Sequence, residues 1–171
     1  MIENKNQIFF SIIICCYNSQ RYISETINSI LNQSYKNYEI VVVNDGSSDD
    51  TEKIINQYKK RIKNFKYIYQ KNKGFAHSRN VAINHAKGEW IVIIDHDDVC
   101  LKNRLEIHYD QIISNKNQSK LFFANTYHFN DEKIIKKHFD QFSLDNINLS
   151  KKYASNYLLT IGCFIDSESV V

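Results

Sequence analysis

An apolar run, Trp90-Ile91-Val92-Ile93-Ile94, ends in Asp95-His96-Asp97-Asp98. The run has the length and composition of a buried strand. Three carboxylates at the C-terminal end of such a strand are costly unless something pairs with them. Their mutual repulsion would raise their pKa values. A divalent cation removes the conflict, because hard cations take carboxylate oxygens and tolerate retained water. If the chain stays extended, alternation sends Asp95 and Asp97 to one side and His96 to the other. Two carboxylates on one side could then hold a metal together with a hydroxyl-rich ligand. A polar turn, or the N-cap of a following helix, is the plainer reading of the same residues.

Carboxylates in this position need a frame, and the chain supplies one by alternating two hydrophobic periods. Residues 8–15, 39–43, 65–69 and 90–94 read as strands, the first two as continuous apolar runs buried on both faces. Between them lie helical patterns. The first has Tyr22, Ile23, Ile27, Ile30 and Leu31 at helical spacing after a capping Ser19. The second follows Asp49 or Asp50 as cap and carries Ile54, Ile55 and Tyr58, and the third spans 75–86 and stops at Gly88. A fourth helix is expected over 101–113. This βαβαβαβ order predicts a parallel sheet with helices on both faces, in the spatial order third, second, first, fourth strand. Ligands of such sheets bind beyond the C-terminal strand ends. The loops rich in polar residues and glycine fall there: Cys16-Tyr17-Asn18, Asn44-Asp45-Gly46-Ser47, Asn72-Lys73-Gly74 and Asp95-His96-Asp97. Beyond residue 116 the pattern weakens. Residues 121–129 read as one or two strands, 134–142 is ambiguous, 151–159 reads as a short helix and 160–165 as a strand.

A chain of 171 residues suits one domain with a real core, and 43% hydrophobic with 24% charged residues is ordinary for a globular protein. A net charge of +3, with 18 Lys against 4 Arg, argues against nucleic acid as a partner, since Arg is the usual reader of bases. It leaves room for a polyanionic ligand or an anionic membrane face. The four cysteines, Cys15, Cys16, Cys100 and Cys163, contain no CxxC pair and read as buried, reduced thiols, which points to the cytoplasm. Residues 1–7 are polar and do not form a signal peptide, and no apolar stretch approaches membrane-spanning length.

Four ordered segments together resemble the N-terminal part of a family 2 glycosyltransferase of the GT-A fold. Ser11-Ile12-Ile13-Ile14-Cys15-Cys16-Tyr17-Asn18 is similar to the first strand and its Tyr-Asn turn. The stretch from Gln33-Ser34 through Glu39-Ile40-Val41-Val42-Val43-Asn44-Asp45-Gly46-Ser47 to Asp49 and Thr51 resembles the family's Q-S/T…E-I/L-I-V-V-D/N-D-G-S-x-D-x-T block. Asn72-Lys73-Gly74, Ser78-Arg79-Asn80 and Ala86-Lys87-Gly88-Glu89 resemble the next block, and Asp95-His96-Asp97 stands where the DxD motif belongs.

The resemblance implies a Rossmann-like three-layer α/β/α domain with a mainly parallel central sheet. It implies transfer of a sugar from a nucleoside diphosphate donor, a UDP-sugar, to a glycan or lipid-linked acceptor, with Mn²⁺ or Mg²⁺ as cofactor and inversion at the anomeric carbon. Cys15 and Tyr17 would line the base, partly through main-chain atoms and the Tyr ring. Asp45 would accept the imide N–H of uracil or a matching donor of another base, beside an alternative role in an Asx-turn with Gly46. Gly74 would let the backbone pass close to the nucleotide, or is a plain turn glycine. Asp95 would contact the ribose or metal shell, and Asp97 would hold the metal at the diphosphate, with Asp95 as the second metal carboxylate. Lys73 and Arg79 would meet phosphate or a carboxylate, or remain solvated. Asp98 reads as a helix cap or as a group supporting the ligands from behind, and His96 as no ligand. The family's general base lies well after the DxD in a Glu-Asp segment. None precedes Val171, and Asp166 and Glu168 are the nearest carboxylates, so the catalytic base is expected beyond residue 171 of a single GT-A domain cut on its acceptor side. Surface polysaccharide or lipid-linked glycan synthesis in the cytoplasm, with peripheral contact to the inner membrane face, follows at family level. A binding domain without the base, and a sugar nucleotidyltransferase, stand beside this reading. The latter would want a Gly-rich loop where Tyr17-Asn18-Ser19 stands.

Overall fold

The computed structural model describes residues 8–114 and two short strands, Tyr127–Phe129 and Ile134–Lys137. Four strands form one parallel sheet: β1 (Phe10–Cys16), β2 (Tyr38–Asn44), β3 (Phe65–Tyr69) and β4 (Trp90–Asp95). Their order is β3-β2-β1-β4, as the sequence predicts. β1 and β2 are central and buried nearly throughout, which is why they read as unbroken apolar runs rather than alternating ones. The register aligns Cys15 with Val43 on one side and with Asp95 on the other. The C-terminal ends of β1, β2 and β4 therefore lie side by side.

Helices α1 (Ile23–Leu31), α2 (Thr51–Lys59) and α4 (Arg104–Ser114) cover one face, and α3 (Phe75–His85) covers the other. The first layer packs Ile23, Ile27, Ile30, Ile55 and Leu105 against Ile12, Ile14, Ile40, Val42 and Ile94. The second packs Ala82 against Ile13, Cys15, Val41 and Val43. Cys15 and Cys16 thus face opposite layers, as strand alternation requires. The remaining strands, β5 (Tyr127–Phe129) and β6 (Ile134–Lys137), pair antiparallel. They fall within the segments where the sequence read strands or was ambiguous. The expected helix at 151–159 and strand at 160–165, with Cys163, Asp166 and Glu168, lie outside the described residues. Among the described residues no helix is long and apolar enough to cross a membrane.

Three local expectations change. The Ser19 hydroxyl does not cap α1: the Ser19 carbonyl accepts from Tyr22 N and Ile23 N, while the buried hydroxyl has no partner. Helix α4 begins at Arg104 rather than 101, which leaves Asp98 too far upstream to cap it. Gly88 is needed for space rather than as a helix stop. At the end of the sheet away from the C-terminal loops, Ser11 Oγ donates to Glu39 Oε1 at 2.6 Å, and Gly88 N and Lys87 N close on the same pair. A Cβ on Gly88 would stand 2.5 Å from Ser11 N and 2.6 Å from Phe9 O, backbone atoms of the central strand region that cannot swing away. Gly88→Ala is expected to cost about 1–3 kcal/mol, the usual range for overpacking. Denaturant unfolding checks this, and an unchanged midpoint would contradict it.

Candidate functional site

Three loops meet beyond the C-terminal strand ends, and Asp45 ties two of them together. It is 4% exposed, directly after β2. Its Oδ1 accepts from Gln70 Nε2 at 2.6 Å and Lys73 N at 2.9 Å, and its Oδ2 accepts from Gly74 N at 2.8 Å. Burial pushes the Asp45 carboxyl upward. The hydrogen bonds from Gln70, the Lys73 and Gly74 amides and Ser78 outweigh that push and hold it below its ordinary value. An ionised carboxylate offers about four acceptor positions. Gln70, Lys73 and Gly74 fill three of these, and the fourth faces only the Ser78 hydroxyl, whose single proton also reaches Gly74 O and is the donor a ligand N–H would replace. The local side-chain bond to the backbone is made by the preceding residue, since Asn44 Oδ1 accepts from Ser47 N three residues on. Gly74 has φ +85° and open space around a would-be Cβ, so it is required by its left-handed backbone while its exposed side stays clear.

The first loop is clamped to the second. Asn18, itself left-handed at φ 50°, accepts from Ser48 N through Oδ1 and donates its own N to Ser47 Oγ. Ser19 N donates to Thr51 Oγ1, and Gln20 N to Asp49 Oδ2. This holds Tyr17 on the rim, 44% exposed, beside the loop that bears Asp45. Cys15 lies beneath. Its thiol is buried and pushed up to about 12, by desolvation first and then by Asp95 and Asp45 against the opposing Arg79. Its side chain is closed to a ligand.

The acidic segment departs from the extended geometry expected of it. Strand β4 ends at Asp95, and Asp98 N donates to Asp95 O, so residues 95–98 form a tight turn. Asp95 pairs with Arg79 of α3, Oδ1 to Nη2 at 2.7 Å. His96 stacks on Phe75, one turn earlier on the same helix, with ring centroids 6.2 Å apart. Asp95 and His96 therefore lean on one helix instead of facing opposite ways. Arg79 meets a carboxylate of its own chain, one of the roles considered for it, while Lys73 serves through its main-chain N. Asp97 is exposed at the turn, 3.9 Å from His96 Nδ1.

Among the described residues no three His, Cys, Asp or Glu side chains assemble a metal cage. The donors still suit an ion of the Mg²⁺ or Mn²⁺ kind, which takes one or two carboxylates and completes its shell with phosphates and water. Asp97 offers solvent-facing carboxylate oxygens, and Asp95 keeps Oδ2 beyond its pair with Arg79.

Sequence reasoning assigned no role to two polar residues of α1, Thr26 and Ser29, and to Gln33 just past its end. Thr26, Ser29 and Gln33 are all buried on the face that also buries Ile23, Ile27 and Ile30. Each binds main chain of the segment that follows β4: Thr26 Oγ1 to His96 O at 2.9 Å, Ser29 Oγ to Cys100 N at 3.0 Å, and Gln33 to both Leu101 O and Leu105 N. The acidic turn is thus held from behind by a helix. The signal was legible as polar residues three and four apart on an otherwise apolar face. Gln33→Met keeps the bulk but leaves Leu105 N unpaired and removes one of the two donors to Leu101 O, the other being Arg104 N, with an expected cost of about 1–3 kcal/mol. Urea unfolding tests it, and a loss below about 0.5 kcal/mol would remove Gln33 from this role.

Comparison with known proteins agrees with this fold. The family model "Glycosyl transferase family 2" matches residues 11–168. Glycosyltransferase GlyG of Streptococcus pneumoniae is 33% identical over 122 residues, covering 71% of this chain and 40% of that protein. An uncharacterised glycosyltransferase of Rickettsia typhi is 34% identical over 154 residues, covering 88% of this chain and 47% of its own. Among solved structures, S. aureus TarS 1-349 matches with a TM-score of 0.67 and 30% identity, over 78% of this chain and 40% of that one. It is also solved in complex with UDP and with UDP-GlcNAc. A mannosyltransferase of Pyrobaculum calidifontis in complex with GDP-Man and Mn²⁺ matches with a TM-score of 0.52 and 28% identity, over 56% of this chain and 29% of that one. The chain spans less than half the length of each of these proteins.

Proposed function

Because the chain belongs to glycosyl transferase family 2 and has the GT-A α/β fold, we propose that it is the donor-binding part of a glycosyltransferase that uses a UDP-sugar. The observation that carries this reading is Asp45. It is a buried carboxylate kept ionised by amides of a neighbouring loop, with one acceptor position held only by the Ser78 hydroxyl, at the C-terminal end of a central strand. A carboxylate so placed suits the imide N–H of uracil, and the exposed Tyr17 ring supplies an apolar face to stack beside it. TarS, solved with UDP and with UDP-GlcNAc, supports the same class of donor.

In this reading Asp45 and Tyr17 fix the base, the 70–74 segment runs along it, and Asp95, braced by Arg79, faces the ribose and diphosphate. Asp97, with the second oxygen of Asp95, would hold a Mn²⁺ or Mg²⁺ ion. When bound, that ion neutralises charge developing on the departing diphosphate. An acceptor hydroxyl of a glycan or lipid-linked glycan attacks the anomeric carbon as the sugar–phosphate bond breaks, and its proton passes to a carboxylate base, with inversion. Residues 1–171 then form one GT-A domain with the donor side as described.

Calorimetry of the 171-residue chain with UDP, CDP, ADP and GDP in the presence of Mn²⁺ tests the proposal. UDP should bind at least about tenfold more tightly than CDP, because cytosine presents an acceptor where uracil presents the imide donor. A preference for GDP, whose base also carries donors, would move the assignment to another nucleotide. Absence of binding by all four would overturn the reading.

A further inference from the structure

Charge is distributed very unevenly along this chain. Residues 53–88 carry ten of the 22 Lys and Arg and none of the 19 Asp and Glu. In the fold this stretch comprises nearly all of α2, the edge strand β3, the loop that reaches Asp45, and α3. The chain entering β3, β3 itself and the loop that leaves it are therefore basic, with Glu52 of α2, beside Tyr67, as the acidic neighbour. Lys59, Lys60, Arg61 and Lys63 are exposed where the chain enters β3, and Lys71 and Lys73 are exposed where it leaves. None of these six forms an ion pair among the described residues. Within the stretch, the ion pairs are those of Lys53 with Asp50 and Arg79 with Asp95. Exposed rings lie beside the second group: Tyr69 at 53% and Phe75 at 47%.

Lysine on an edge strand discourages pairing with other sheets. That accounts for Lys66 within β3 but not for Lys59 at the end of α2 and the three cations on the connection that follows it. From this arrangement we infer that the β3 edge is a docking surface for an anionic lipid bilayer. Eight of the ten cations are Lys. Lys is a flexible point charge suited to a diffuse field of headgroups, whereas planar recognition of bases and single phosphates favours Arg. Tyr and other amphipathic rings settle at headgroup level, which suits Tyr69 among lysines. The surface continues into Lys73 and Gly74, the residues whose amides hold Asp45. Docking along it sets the mouth of the site beside the headgroup layer, where an acceptor carried on a lipid is presented. The surface itself stands whether or not the nucleotide assignment does.

Vesicle co-sedimentation of the whole chain tests this directly. Binding is expected to vesicles of phosphatidylcholine with about 30% phosphatidylglycerol, not to phosphatidylcholine alone, and to fall sharply between about 50 and 300 mM NaCl as the charges are screened. Each cation near an anionic leaflet is worth about a fivefold change in affinity. Lys59→Glu/Lys60→Glu/Lys63→Glu should therefore lose more than about tenfold in binding to the anionic vesicles. Its circular dichroism and UDP calorimetry should match wild type, since these residues lie at the opposite end of β3 from Asp45. Should the three glutamates disturb the end of α2, Lys60→Gln/Lys63→Gln should give a smaller loss of the same sign. Equal binding to both vesicle types, no binding at low salt, or undiminished binding by the variants would overturn the inference. So would single-stranded RNA or heparin displacing the chain from vesicles at equal charge concentration, which would assign the surface to a soluble polyanion.

Discussion

Asp45→Asn is expected to weaken UDP binding by about 1.5–3 kcal/mol, roughly ten- to a hundredfold, the cost of losing a hydrogen bond to a charged acceptor. The substitution keeps the shape of the side chain but turns one acceptor edge into a donor. Gly74 N and Lys73 N now point at Asp45 from two sides, and an amide can satisfy only one of those sides. Stability should therefore fall as well. The two effects separate by pH. Asp45 has its folded pKa below the ordinary value of 3.8, so the stability it contributes is present at neutral pH and lost only as pH falls through that acidic range. Between about pH 6 and 8 the carboxylate stays ionised and its share of UDP affinity should not vary. Calorimetry at temperatures well below the variant's melting midpoint isolates the binding term. Unchanged affinity in folded Asp45→Asn would remove Asp45 from the base pocket.

Asp97→Asn should lose most of the metal-dependent gain in UDP binding. Asp95, Asp97 and Asp98 and the diphosphate of a donor are all anionic. Two unit charges about 4 Å apart repel by about 4 kcal/mol even at an effective dielectric of 20. A divalent cation between them reverses that sign. Asp95 already has a cation in Arg79 at 2.7 Å, so Asp97, exposed at the turn, is the carboxylate with most to gain. UDP should bind weakly with EDTA and at least about tenfold better with Mn²⁺, and Asp97→Asn should flatten the difference. Asp98→Asn should have a smaller effect. Mn²⁺ electron paramagnetic resonance, reading bound ion rather than turnover, gives an independent measure. Equal UDP affinity with and without divalent metal in folded wild-type protein would contradict the assignment.

The sheet was legible because its central strands are buried on both faces. Such strands must be largely apolar, and β1 and β2 are, with Ser11 and Glu39 satisfying each other at one end. The site loops were legible because polar residues and glycines punctuate those runs at the C-terminal ends. What the sequence concealed is how the loops hold one another. Asp45 reaches Gly74 across 29 residues, Thr26 reaches His96 across 70, and Gln33 reaches Leu105 across 72. No local periodicity encodes such contacts. The side-chain alternation expected after Ile94 failed for a local reason: the strand ends at Asp95 and the chain turns at once. Gly88 was misread as a helix stop because a glycine after a helical pattern has two uses, and only the nearness of Phe9 and Ser11 tells which applies.

A pyrimidine held at Asp45 is tested most directly by a crystal structure of the chain soaked with UDP and Mn²⁺. The uracil ring is expected beside Tyr17, with its imide nitrogen within about 3 Å of an Asp45 oxygen, and the diphosphate turned toward Asp95 and Asp97. A uracil ring bound away from the C-terminal ends of β1 and β2, or at those ends with no contact to Asp45, would contradict it.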